Sequence, residues 1–213
     1  MRLVVIGAHL ERSDIEPPAE AIPVADLWLS GLPIEDAQAL GDRELLLRVA
    51  KTRASLLDRA TFIAIRYGFT AHAASDAAVK CAAHIDRWRH VLHDCRGFVE
   101  MTLKVAAASP RARPDRKDFS SGGAYIRALH EATRGAEVDP AFRSAVEAIV
   151  APFAVKHRWS NRDTASLEFA ALVPEDAVAA VNEAGAVLKR NFASVAFLLS
   201  GPWPLEVFAD DHE

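Results

Sequence analysis

Residues 195–208 read VAFLLSGPWPLEVF, an apolar stretch that runs into two closely spaced prolines. Its first part is typical of a buried strand, and we expect the last strand of the chain over residues 194–200. Pro202 and Pro204 have no backbone N–H, so neither can continue the hydrogen bonds of a central strand. Each proline also favours an extended conformation in the residue before it, which holds Trp203 on a stiff segment at the end of a sheet. That segment either locks the indole ring into the core or offers it to a partner.

The residues upstream of this segment predict a small antiparallel sheet with helices. A hairpin is expected with strands over 155–159 and 165–172, because apolar and polar residues alternate and the intervening turn is short. A helix with a regular apolar stripe follows from Pro174. Two further helices, over 124–134 and from Asp139 onward, precede the hairpin. This order suits an open sheet with helices packed on one face.

The first half of the chain also mixes strands and helices. Its clearest helix spans residues 73–96, where apolar residues share one face, and Gly97 supplies the C-terminal stop. Prolines at positions 17, 18 and 23 indicate a loop after the first strand. The other elements expected from the hydrophobic pattern are strands over 2–8, 26–30, 62–65 and 99–105, and a helix over 43–58 with Asp42 as its N-cap.

A polar, proline-containing stretch without hydrophobic period separates the two halves. We interpret residues 109–118 as an exposed loop, because the stretch contains six charged residues and two prolines. The sequence therefore predicts an α+β protein with two subdomains. The expected boundaries are an N-terminal domain over 1–107, a connecting loop over 108–119 and a C-terminal domain over 120–213.

The composition limits the classes of protein to which the chain can belong. It has 213 residues, a formal net charge of −4 and 51% hydrophobic residues, which is ordinary for a globular protein. The acidic balance gives no global attraction to nucleic acid or to anionic lipid. No apolar run approaches the ~18 residues of a membrane span, and the first residues read as a strand rather than a signal peptide. We therefore expect a cytoplasmic protein without a nucleic-acid or membrane partner.

The cysteines and the histidines near them are candidate metal ligands. Cys81 and Cys95 are the only cysteines; on one helix they would lie roughly 21 Å apart along the axis, too far for a disulfide. Cys81 and His84 share a helix face, but a structural zinc needs about four ligands and no second pair has suitable spacing. We expect both cysteines in the core, His84 at the core edge with a hydrogen-bond partner, and neither metal nor cofactor.

Sequence signals for catalysis are weak. Residues 120–123, Ser-Ser-Gly-Gly, have the composition of a phosphate-binding turn before a helix, but no Gly-Lys-Ser/Thr is present, which favours simple helix capping. Glu100 and Glu168 lie on strand faces predicted to be polar, and we interpret them as solvated carboxylates. No nucleophile, base and oxyanion site can be assembled from the sequence, so we predict that the protein is not an enzyme.

Four segments resemble the gas vesicle accessory proteins of the GvpF/GvpL family, in the family's order. The strand 62–65 and its continuation resemble an apolar family strand that ends in Pro-Val-Arg-Phe-Gly, and residues 97–105 are similar to a Gly-x-Val-Glu strand that ends in Lys-Val. Residues 123–126 resemble the Gly-x-x-Tyr-Leu start of a helix, and residues 201–204 carry the terminal Gly-Pro-Trp-Pro motif. The resemblance covers about residues 60–208.

This resemblance implies a non-catalytic accessory protein of gas vesicle assembly, with a ferredoxin-like N-terminal half and an α+β C-terminal half. It implies binding of the small, apolar gas vesicle shell protein, which limits shell-protein aggregation, and gas vesicle accessory proteins as further partners. We place partner contacts at Trp203, Pro204 and Phe208. Structural roles are expected for the family-motif residues Arg66, Tyr67, Gly68, Glu100, Gly123, Tyr125, Gly201 and Pro202.

Two other classes of function remain open on the residues alone. One is a cytoplasmic protein-interaction module unrelated to gas vesicles. The other is a small-molecule enzyme, which would have a deep pocket that holds titratable groups with perturbed pKa values.

Overall fold

The computed structural model describes residues 2–12, 19–35, 37–106, 114–133, 138–161 and 166–210. These residues form nine β-strands and six α-helices, and the chain divides into two compact units. Unit 1 comprises Met1–Glu100 and Trp203–Glu213, and unit 2 comprises Met101–Pro202. Unit 2 is therefore an insertion in the sequence of unit 1.

This division differs from the domain boundaries expected from the sequence. The expected loop over 108–119 lies partly outside the described residues, which resume at position 114. The C-terminal segment from Trp203 onward belongs to unit 1, whereas the sequence placed it in the C-terminal domain. The reason is that the last residues bond to a strand and a carboxylate of unit 1, as described below.

Unit 1 is built on an antiparallel sheet with β1 at its centre. Its strands are β1 (Arg2–His9), β2 (Glu20–Val24), β3 (Leu27–Ile34), β4 (Phe62–Ala64) and β5 (Thr70–Ala71). Their order is β2-β3-β1-β4, and β5 also pairs with β1. Almost every residue of β1 is buried, and because successive side chains point to opposite faces, both faces of this strand are covered.

Helix α1 (Arg43–Leu57) packs on one face of this sheet. The side chain of Asp42 accepts a hydrogen bond from the N–H of Glu44 at 2.9 Å, which confirms the expected N-cap. The apolar stripe of α1 joins the strand residues in one buried cluster. Its members are Val4, Ile6, Leu32, Ile34, Leu45 and Val49.

The predicted helix over 73–96 is two helices, α2 (Ala74–Cys81) and α3 (Ile85–Asp94), joined by a 3-10 turn. The end at Gly97 is confirmed, with φ at +77°, a value that favours glycine. Arg89 of α3 bonds to Asp26 in the β2–β3 turn and to Asp86 one turn back. These exposed ion pairs fasten α3 to the hairpin but add little stability.

Unit 2 contains most of a second sheet, in the order β7-β8-β6-β9. Its strands are β6 (Phe98–Ala106), β7 (Lys156–Asn161), β8 (Ser166–Pro174) and β9 (Phe197–Trp203). The hairpin β7–β8 is antiparallel, as expected, with Trp159 opposite Phe169. The interior of β8 is buried on both faces, so this sheet is covered on two sides at β8 rather than on one.

The helices of unit 2 are α4 (Gly122–Thr133), α5 (Pro140–Ile149) and α6 (Val178–Asn191). Asp139 caps α5 by accepting the N–H of Ala141 at 2.9 Å, with proline at the first helical position. Phe142 of α5 is fully buried and meets Phe197 of β9 at a centroid distance of 5.1 Å. This aromatic contact joins the helices to the edge strand of the sheet.

The α+β class predicted from the sequence is confirmed, with antiparallel pairing and packed helices. Unit 1 opens with three strands before its first α-helix, whereas a ferredoxin-like unit alternates β-α-β-β-α-β. Strand β2 was missed, because Pro23 lies within it and reads as a loop signal. Pro23 is tolerated there because β2 is an edge strand, where an N–H can be dispensed with.

Candidate partner-binding site

The C-terminal segment of unit 1 binds along β4 like a short additional strand. The N–H of Leu205 donates to the carbonyl of Phe62, and the N–H of Ala64 donates to the carbonyl of Leu205, both at 2.9 Å. These bonds make a parallel bridge between Leu205 and Ile63. The side chain of Leu205 is fully buried, so the segment is held by both backbone bonds and apolar packing.

Glu100 fixes the next residues of this segment. Its carboxylate is 2% exposed and accepts three consecutive backbone N–H groups. The donors are Glu206 and Phe208 to Oε1, at 2.9 and 2.8 Å, and Val207 to Oε2, at 3.0 Å. A turn with adjacent N–H groups is a natural anion-binding concavity, and here a side chain of the same unit fills it.

The interpretation of Glu100 and Glu168 as solvated carboxylates was wrong. Burial raises the pKa of Glu100, and the three N–H donors oppose that rise. Glu168 is 1% exposed on the central strand β8, where its Oε2 lies 3.7 Å from Nζ of Lys104. The alternation in both strands predicted one polar, solvated face, but strands covered on both sides bury polar residues too.

The three predicted contact residues are placed differently from one another. Trp203 is 49% exposed, Pro204 is buried and Phe208 is 2% exposed. Phe208 and Pro204 therefore anchor the segment inside unit 1 and offer no surface. Of the three, Trp203 alone presents a large ring for contact with another molecule.

The motif after β4 forms a turn that returns the chain to β5. Arg66 is exposed, and its carbonyl accepts the N–H of Phe69 at 3.2 Å. Gly68 has φ at +94°, a conformation that side chains disfavour. The hydroxyl of Tyr67 donates to the carbonyl of Leu40 at 2.9 Å, and its ring packs on the cluster beneath α1.

The remaining motif residues lie at element ends. Gly123 is exposed in the first turn of α4, which the side chain of Ser121 caps by accepting the N–H of Ala124 at 3.2 Å. The hydrogen bond from Ala124 to Ser121 agrees with the sequence interpretation of residues 120–123, which favoured helix capping over phosphate binding. Tyr125 meets Phe119 at a centroid distance of 5.9 Å. Gly201, with φ at +132°, and Pro202 are joined by a cis peptide bond near the end of β9.

Sequence reasoning missed a buried polar pair in unit 1. His9 and Ser30 are 0% and 1% exposed, and Nε2 of His9 lies 2.8 Å from Oγ of Ser30. Nδ1 of His9 lies 2.6 Å from the carbonyl of Glu11, an acceptor, so Nδ1 carries the proton and the hydroxyl of Ser30 donates to Nε2. Burial lowers the pKa of His9. The pair has the atoms of a nucleophile and base, but full burial keeps substrate away from it.

The cysteines and His84, which are candidate metal ligands, do not form a cluster. Cys81 and Cys95 are both buried, as expected, and burial raises the pKa of Cys81 to about 11. His84 is exposed and stacks on the ring of Trp88, at a centroid distance of 5.3 Å. Within the described part of the chain, no three His, Cys, Asp or Glu residues are grouped to hold a metal ion.

An open cleft of about 690 Å³ lies beside the first turn of α1 and is lined by residues such as Ile34, Glu35, Glu44 and Arg48. The titratable groups with shifted pKa values that are described above lie elsewhere. No helix among the described residues is long and apolar enough to cross a membrane.

Comparison with known proteins supports the resemblance noted in the sequence. Residues 19–209 match the family described as gas vesicle synthesis protein GvpL/GvpF. The comparison with curated proteins gave no match.

Two solved structures share this fold over their whole lengths. The crystal structure of gas vesicle protein GvpF from Microcystis aeruginosa superposes with a TM-score of 0.72 at 11% identity, covering 98% of this chain and 99% of that chain. The structure of the gas vesicle protein GvpF from Anabaena sp. PCC7120 gives 0.68 at 10% identity, covering 98% of each chain. With the family match across residues 19–209, the chain belongs to the gas vesicle synthesis protein GvpL/GvpF family.

Proposed function

We propose that this protein is a non-catalytic accessory protein of gas vesicle assembly that binds the apolar shell protein and limits its aggregation. Its place would be the cytoplasm, in association with gas vesicles and other accessory proteins. Family membership supports the link to gas vesicles. The observation that carries the binding role is the half-exposed indole of Trp203 on a segment fixed by Glu100.

The rigid mounting of Trp203 suits a binding role. A ring whose backbone is already ordered loses little conformational entropy when a partner covers it. Tryptophan is enriched among the residues that contribute most to binding energy at interfaces. The buried side chains of Leu205 and Phe208 hold the segment from below.

Capture of an apolar protein requires more surface than one ring. A stable interface covers roughly 800 Å² per partner, whereas a whole tryptophan side chain supplies about 250 Å² at most. Exposed apolar residues such as Leu46 and Leu47 are also present in unit 1. An accessory protein that covers apolar surface of a partner lowers the concentration of aggregation-prone chains by mass action.

The test is suppression of shell-protein aggregation, measured by light scattering after dilution of shell protein from denaturant. We expect the wild-type protein to lower the scattering and Trp203→Ala to be at least about tenfold less effective. Val79→Ala, which trims an exposed apolar residue of the same unit, is the matched control and should act as the wild type does. Scattering that the wild-type protein leaves unchanged would refute the proposed function. Equal activity of Trp203→Ala, shown to be folded, would remove Trp203 from the interface.

A further inference from the structure

The open backbone edge of β9 is the feature from which we infer a second binding site. An edge strand presents unpaired N–H and C=O groups, and proteins normally block such an edge with charge, proline or a covering segment. The two sheets have four lateral edges among the described residues, formed by β2, by β4 with β5, by β7 and by β9.

Three of these edges carry a recognisable block. Strand β2 contains Pro23, which cannot donate to an added strand. Strand β4 is covered by the segment at Leu205, which pairs with it in parallel. Strand β7 carries Lys156 and Arg158, and charges on an edge disfavour pairing with an apolar strand.

Strand β9 has no charge along its length. The sequence between Arg190 and Glu206 contains no Asp, Glu, Lys or Arg. Leu198 at the middle of the strand is 62% exposed, and a side chain of an added strand would lie beside it on the same face of the sheet. Pro202 removes one donor, but it lies at the far end of the strand.

The bonding direction along β9 follows from its pairing with β6. The N–H of Ala106 donates to the carbonyl of Ala196 at 3.0 Å, so the polar backbone groups of position 196 point toward β6. These groups alternate along a strand in an antiparallel pair, which directs those of Phe197 and Leu199 to the open edge. The side chains of the same two residues pack toward the helices, near Phe142 and Gly185, which agrees with regular alternation.

We propose that this edge, from Phe197 to Leu199, binds an extended, uncharged apolar segment of another polypeptide by β-strand addition. The backbone bonds would supply affinity, and the absence of charge on β9 would select an uncharged partner segment. The inference deepens the proposed function, on which the identity of the natural partner rests. It also adds contact area beyond that of a single tryptophan.

The probe is a synthetic (Thr-Val)4 peptide, N-methylated on alternate residues so that it has one bonding edge and does not self-associate. In the full-length protein, we expect it to slow amide hydrogen exchange at Phe197 and Leu199. The amides of Leu198 and Ser200 already face β6 and should change little. Absence of added protection at Phe197 and Leu199 would overturn the inference.

Matched variants separate charge from packing. Leu198→Lys places a charge on the exposed face and should weaken peptide binding at least about tenfold, whereas Leu198→Thr places an uncharged, β-branched residue there and should stay within about threefold. Val155→Lys adds the same charge at another exposed position of unit 2, 57% exposed, and should bind as the wild type does. Equal binding by Leu198→Lys and wild type would also overturn the inference.

The scattering assay distinguishes failure of this inference from failure of the proposed function. Peptide binding without suppression of shell-protein aggregation would retain the edge site and remove the proposed function. Suppression of shell-protein aggregation by a protein that fails to bind the peptide would retain the proposed function and remove the edge site. Protection of Phe197 and Leu199 in concentrated protein without peptide would identify a second copy of the chain as the occupant, which contradicts the proposal.

Discussion

The carboxylate of Glu100 offers the sharpest test of how the C-terminal segment is held. In Glu100→Ala, three N–H groups lose their acceptor. The N–H of Phe208 is buried and bears the whole cost of an unsatisfied donor, about 1–3 kcal/mol. The N–H groups of Glu206 and Val207 are only partly buried, so water can accept a hydrogen bond from them and the cost of losing the carboxylate is smaller there. We expect the free energy of unfolding to fall by about 3–5 kcal/mol.

Glu100→Gln gives a graded comparison. An amide oxygen in the place of Oε1 keeps the bonds from Glu206 and Phe208, but the amide nitrogen then faces the N–H of Val207, where two donors meet. One lost bond predicts a loss of about 1–3 kcal/mol, smaller than that of the alanine variant. Glu183→Gln, which removes the same charge from an exposed position of α6, is the control and should change little.

The assay is urea unfolding combined with amide hydrogen exchange in unit 1. The exchange of residues 206–208 should accelerate most in Glu100→Ala, less in Glu100→Gln and not at all in the control. A loss below about 1 kcal/mol for Glu100→Ala, or a larger loss for the glutamine variant, would refute this account of the carboxylate.

Two further predictions concern buried groups of unit 1. Burial lowers the pKa of His9, so as the pH falls the unfolded chain binds a proton before the folded protein does, and the contribution of His9 to stability is lost from about pH 6.5 downward through its folded pKa. The drop in urea midpoint between pH 7 and pH 5.5 should therefore be larger for the wild type than for His9→Gln. Equal drops for the two proteins would contradict this. Gly7→Ala would place a methyl group 2.5 Å from the ring of Phe62 and 3.0 Å from the carbonyl of Ile63, which predicts a loss of about 1–3 kcal/mol in urea unfolding. Gly41→Ala meets no atom within 4 Å and is the control, so similar midpoints for the two variants would show that the site at Gly7 relaxes.

The sequence was sufficient where the cause of structure is local. Asp42 and Asp139 were recognised as N-caps because a cap bonds to N–H groups within three residues. Gly97 marked a helix end, since a positive φ favours glycine at that position. The alternation of 99–105 and the apolar stripes predicted the α+β class for the same reason. Pro23 shows the limit of local signals, because an edge strand tolerates a residue that a central strand does not.

The tertiary structure decided everything that depends on distant parts of the chain. Glu100 bonds to residues 106 to 108 positions away, and no local pattern reports that pairing. The same pairing assigns the C-terminal segment to unit 1 and buries Phe208, which the sequence had placed at an interface. His9 and Ser30 meet because two strands align in one register. A sequence determines which faces of its elements are apolar, but the packed fold determines which polar groups are enclosed and what satisfies them.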